Sequence, residues 1–201
     1  MGDMKPSSGS PMESRKVRWL HLIAAVAAGV WTLRLSAAEQ PHCFLDWVNL
    51  PFHEAGHVFL SPFGRMPHFL GGTLLQILVP ALLAGYFLHR RSPFSASACS
   101  WWFGENFLNI SIYMADARDL NLELVGGGEH DWNEIFYRCG LLGQDSVARV
   151  STITHHLGVA VMLAAVAWMA CLALPADLRE SLGARLSARF PALRLLLEQP
   201  E

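Results

Sequence analysis

His53 and His57 stand four residues apart in the run His53-Glu54-Ala55-Gly56-His57. On a helix, residues i and i+4 leave the same face one turn apart, so the two imidazoles can meet a single ion. Zinc suits such nitrogen donors, and a catalytic zinc site adds a third protein ligand and leaves a fourth position to water. Glu54, beside the first ligand and not itself a ligand, is placed to take a proton from that water and hand it to a leaving amine. The competing reading, two histidines paired with polar neighbours in a core, is weaker. Chance rarely produces the pattern, and apolar surroundings make stray polar groups costly.

A third ligand has two candidates. Glu105, Asn109, Ile112/Tyr113 and Asp116 recur at helical spacing and put one polar stripe along one face. Asp116, near the end of that helix, is the first choice, and Asn109 is placed to hold a substrate backbone or a developing oxyanion. The bland alternative for Asp116 is a solvated carboxylate beside Arg118. His130, followed by Asp131, is the rival: a histidine ligand backed by a carboxylate fits zinc, and Gly126, Gly127 and Gly128 let the loop fold inward. Its bland alternative is an exposed loop histidine followed by an aspartate that caps a short helix running to Gly140. His155 and His156 read as interfacial, and His21, His42, His68 and His89, near helix ends, carry no assigned role.

The elements that must position these residues are long and apolar. Of 201 residues, 52% are hydrophobic and 16% charged, and the mean hydropathy is positive. The apolar residues gather in blocks such as Trp19 to Val30, Gly71 to Leu88 and Ile153 to Leu174. The last is long enough for a bilayer, which takes roughly 20 residues of helix. Five membrane helices are predicted, at 17–36, 43–61, 69–89, 95–117 and 152–174. The second and fourth carry ionisable groups, which at such depth must face a protein interior or a wet cavity. After Pro175, arginines alternate with Leu and Phe, as in an amphipathic helix on a membrane surface. The fold class is therefore all-α, a polytopic membrane helix bundle. Residues 1–16 form a disordered tail, 17–175 the membrane domain and 176–201 the amphipathic segment.

Other classes recede. A net charge of −2 and basic residues scattered between apolar blocks give no footprint for nucleic acid. Four separate cysteines without a CxxC pair suggest neither a disulfide framework nor a thiolate site. The first apolar block, preceded by Arg15, Lys16 and Arg18, reads as a retained anchor with an internal N-terminal side rather than a cleaved signal. Basic residues otherwise divide almost evenly across the bilayer, and the oligomeric state stays open.

HEAGH on a membrane helix, followed by Gly71-Gly72-Thr73-Leu74-Leu75-Gln76 and Pro80, resembles the site-2 protease family of intramembrane zinc metalloproteases. Together with Tyr113 to Ala117 and His130 to Trp132, it is also similar to a group of small bacterial membrane metallopeptidase-like proteins, over about residues 43–145. The resemblance implies Zn2+ between membrane helices, held by His53, His57 and an aspartate of a later helix. It also implies Glu54 as catalytic base, cleavage of a membrane protein or peptide in or near the bilayer, and an inner-membrane location. Asp116 departs from the family pattern, being followed by Ala117 where the family has glycine. The rival classes are a non-enzymatic membrane protein binding a metal or haem, and an inactive relative that binds partner helices.

Overall fold

A computed structural model describes residues 11–38, 42–124 and 128–189. Within them the chain folds into seven α-helices with no strand. These are α1 (Pro11–Ala37), α2 (Phe44–Leu60), α3 (Arg65–His89), α4 (Pro93–Ala115), α5 (Asp131–Arg138), α6 (Gln144–Ala173) and α7 (Ala176–Arg189). Five fall on the predicted membrane helices. α1 begins at Pro11, inside the stretch expected to be disordered, where proline in a first helical turn gives up no intrahelical bond. α6 begins eight residues before the expected start, because the polar turn Gln144 to Arg149 continues the helix instead of ending it. α7 covers the first half of the expected amphipathic segment; residues 190–201 lie outside the described residues.

Three helices are long and apolar enough to cross a membrane: Arg18–Ala37 of α1, α3 and α6. Their outward faces carry large apolar side chains in the open, Ile23, Leu33, Leu82 and Ile153 among them. Apolar surface on that scale marks a face that meets lipid or protein.

The long helices pack as a row, α1 against α6, α6 against α4, α4 against α3 and α3 against α2. Two glycine contacts set the closest approaches. Gly56 of α2 and Gly71 of α3 meet backbone to backbone, and a Cβ on either would collide with the other's carbonyl. At the second crossing, a Cβ on Gly104 of α4 would stand 3.0 Å from the carbonyl oxygen of Gly158 of α6. Such contacts let helices associate where no hydrophobic drive distinguishes protein from lipid. Between α2 and α3 the chain reverses through Ser61–Phe63 and Gly64, whose φ of 106° is open to glycine and strained for other residues.

α5 is short and strongly two-faced. Trp132, Ile135 and Phe136 sink into a core with Phe69 of α3 and Ile110 and Met114 of α4. That burial presses the beginning of α5 against the cleft between α2, α3 and α4.

Candidate metal centre

α2 projects His53 and His57 from one face, with ring centroids 4.8 Å apart. Both point their Nε2 atoms at one oxygen: Asp131 Oδ2 lies 2.9 Å from His53 Nε2 and 3.2 Å from His57 Nε2. In a tetrahedral zinc site with bonds of about 2.0 to 2.1 Å, ligand atoms stand roughly 3.3 Å apart. The two histidine–aspartate separations are therefore close to the spacing that a zinc ion would impose, and all three ligand atoms lie within 4.8 Å of one another.

The other nitrogen of each ring is committed, which fixes what Nε2 can do. His57 Nδ1 stands 2.8 Å from the carbonyl oxygen of His68, which can only accept. His57 Nδ1 therefore carries the hydrogen and Nε2 is left to bind a metal. His53 Nδ1 meets Gln76 Oε1 at 3.1 Å. The sense of that bond follows from its far end. Asn109 Nδ2 donates to Asp46 Oδ1 at 3.1 Å, which turns Asn109 Oδ1 to accept from Gln76 Nε2 at 2.9 Å. Gln76 Oε1 is then left facing His53. A carboxylate thus orients the His53 imidazole through two amides in series.

A glycine leaves room where the two imidazoles converge. A Cβ on Gly72 of α3 would lie 2.6 Å from His53 Nε2 and 2.7 Å from His57 Nε2, so a side chain there would crowd the point where the two ligands converge. The centre opens into a cleft of about 600 Å3 whose lining includes Glu54, Asn109, Tyr113 and Asp131. Glu54 is exposed within it. Burial pushes the Asp131 carboxyl up, but in the metal-free protein hydrogens on the two Nε2 atoms, and the positive charge they bring, outweigh that and hold it below its ordinary value; a metal at that point would take the place of those hydrogens.

Neither residue predicted as third ligand joins this group. Asp116 ends α4, where its carboxylate accepts the backbone N–H groups of Asn121 at 2.9 Å and Leu122 at 3.1 Å. His130 Nε2 faces Asp116 Oδ2 at 3.4 Å, and His130 Nδ1 accepts the backbone N–H of Asn133 at 3.1 Å. The roles expected of His130 and Asp131 are thus exchanged. Histidine caps α5, and aspartate, expected as the cap, reaches the centre. Asp116 and His130 hold the loop that delivers Asp131, with help from Asn133, whose side chain donates to the Ala117 carbonyl at 2.7 Å. Asn109, expected on substrate, lines the cleft but spends both ends of its amide on Gln76 and Asp46.

His68 and Gln76, like Asp46 and Gly72, contribute to the centre without a role assigned from the sequence. His68 serves through its backbone oxygen, which no side-chain pattern reveals. Gln76 left one signal, an amide alone in an apolar helix. The inner end of the polar network joins Cys43, Asp46 and Glu105, whose ligand atoms lie within 4.8 Å of one another. Glu105 accepts from Asn49 at 3.1 Å and from the Cys43 thiol at 3.4 Å.

No family model, curated protein or solved structure matches this chain.

Proposed function

We propose that this protein is a membrane-embedded zinc metalloprotease, similar in kind to the site-2 proteases, that hydrolyses peptide bonds in or near the bilayer. The observation that carries the reading is the convergence of His53 Nε2, His57 Nε2 and Asp131 Oδ2 beside a cleft that holds Glu54. Two nitrogens and a carboxylate oxygen form a donor set that suits zinc and leaves a position open. Both histidines approach one point from one helix face, which suits an ion and not the opposed axial positions of a haem.

A bound zinc would polarise the scissile carbonyl and acidify water. Glu54 takes the proton of the attacking water as oxygen bonds to the carbonyl carbon, then gives it to the departing nitrogen as the C–N bond breaks. Asp46, Asn109 and Gln76 keep His53 in one tautomer, and the His68 carbonyl does the same for His57. Substrates are membrane proteins or peptides, and a helical one has to unwind, because its carbonyls are otherwise taken by its own hydrogen bonds. In this reading α2 and α4 lie within the bilayer with α1, α3 and α6, giving five membrane helices in a bacterial inner membrane, and α7 rests on the surface.

The test uses the full chain in detergent. Mass spectrometry is expected to find about one zinc per chain in wild type and in Glu54→Gln, and none in His53→Ala. Incubation with a library of apolar membrane-segment peptides is expected to yield fragments with wild type, and roughly 100-fold fewer with Glu54→Gln. Equal cleavage by the two proteins would sink the protease reading; wild type that holds no zinc when supplied with it would sink the metal centre.

A further inference from the structure

We propose that Tyr113 is a catalytic residue, its hydroxyl donating a hydrogen bond to the carbonyl oxygen of the peptide group bound at the centre. This deepens the hydrolase reading above and rests on it. Tyr113 follows Asn109 by one turn of α4 and so shares the face turned toward α2 and α3. Its ring lies 6.0 Å from that of His53 and 4.1 Å from that of His130. Its hydroxyl oxygen accepts the backbone N–H of Asp131 at 3.1 Å. The phenol is thereby pinned to the backbone of the residue whose carboxylate meets both histidines.

A phenol that accepts one hydrogen bond still has its own hydrogen to give. No described residue takes that hydrogen, and the residue borders the cleft. The N–H donated to the oxygen also polarises the O–H, making it a stronger donor. An acceptor seated at the three ligand atoms is the group this donor is placed to meet.

A second hydroxyl beside the cleft is buried without a partner. Thr73 follows Gly72 on α3 and borders the cleft, and its hydroxyl has no hydrogen-bond partner although the residue is only 8% exposed. Thr32, Ser36, Ser97, Ser100, Ser111, Ser151 and Thr154 all satisfy their hydroxyls on a carbonyl three or four residues earlier. Thr73 does not. The free hydrogen of Tyr113, among Trp47, Leu50, Ile112 and Leu124, describes a cleft for a carbonyl-bearing chain with apolar side chains.

The probe is acetohydroxamate, whose oxygens stand in for those of a peptide group at the ion. It is titrated into the zinc-loaded full chain, wild type and Tyr113→Phe, with zinc affinity measured separately by chelator competition. Tyr113→Phe is expected to weaken acetohydroxamate about tenfold with zinc affinity unchanged. Weakened zinc binding with unaltered affinity of the loaded protein for the probe would show that Tyr113 only steadies Asp131, and would overturn the proposal. Unaltered binding of both would overturn it as well. A second measurement needs no variant: replacing the chain's three tyrosines with 3-fluorotyrosine acidifies the phenol and is expected to tighten acetohydroxamate binding. No tightening counts against the proposal. Wild type that takes up no zinc overturns the metal centre and this inference together; zinc-loaded wild type that binds the probe no better than Tyr113→Phe overturns this inference alone.

Discussion

Asp131 Oδ2 stands 2.9 Å from His53 Nε2 across 78 residues of chain. Nothing local brings them together. Asp131 opens α5, α5 is pressed into place by Trp132, Ile135 and Phe136, and its first turn is held by His130, Asn133 and the Tyr113 hydroxyl. The third member of this candidate metal-binding group is thus a product of packing between α3, α4 and α5.

Two carboxylates can then be told apart by what they lose. Asp131→Asn is expected to abolish stoichiometric zinc binding while the helices persist by circular dichroism. Asp116→Asn is expected to keep zinc and to lower stability by about 1 to 3 kcal/mol, since its partners Asn121 and Leu122 lose charged acceptors. Zinc retained in the first and lost in the second would return the third-ligand role to Asp116.

Gly72→Ala probes the space where the histidines converge. A methyl group there falls within 2.7 Å of both Nε2 atoms, nearer than a carbon can sit, so the rings or α3 must shift. Zinc affinity is expected to fall far more than for Gly85→Ala in the same helix, where a Cβ meets nothing within 4 Å. Equal zinc affinity in the two variants would remove Gly72 from the centre.

The amide chain behind His53 makes a graded prediction. Gln76→Leu removes the acceptor of His53 Nδ1 and is expected to weaken zinc roughly 10- to 100-fold. Asp46→Asn acts two hydrogen bonds further away and is expected to weaken it less. Chelator competition reads both, and a larger loss for Asp46→Asn than for Gln76→Leu would break the order.

The sequence made the helices and the histidine pair legible, for a physical reason. Apolar length and i, i+4 spacing are local properties, and α2, α3, α4 and α6 fall within a few residues of their predicted spans at most ends. Choosing among Asp116, His130 and Asp131 was not a local question. Asp116 and Asp131 both sit at helix ends, and what separates them is the burial of Trp132 and Phe136, which fixes where α5 begins. His130 and Asp131 also have interchangeable capping ability, since either side chain can accept a backbone N–H. Only the packing of α5 decides which caps and which reaches the cleft.

His130 gives the pH dependence, read in metal-free protein so that ligand protonation by metal exchange does not intervene. Burial lowers His130 from its ordinary value of 6.5, against the opposing pull of the Asp116 and Asp131 carboxylates. The folded state thus resists a proton that the unfolded chain accepts. Between 6.5 and the lowered folded value the unfolded chain binds more protons, so stability falls as pH falls through that window and levels off below it. Protonation also removes the Nδ1 lone pair that accepts Asn133 N–H, loosening the start of α5 with Asp131 on it. His130→Asn keeps a capping side chain and has no proton to gain. Thermal unfolding of wild type is therefore expected to drop between pH 7 and pH 5 by more than that of His130→Asn. Parallel curves for the two proteins would place the pH dependence elsewhere in the chain.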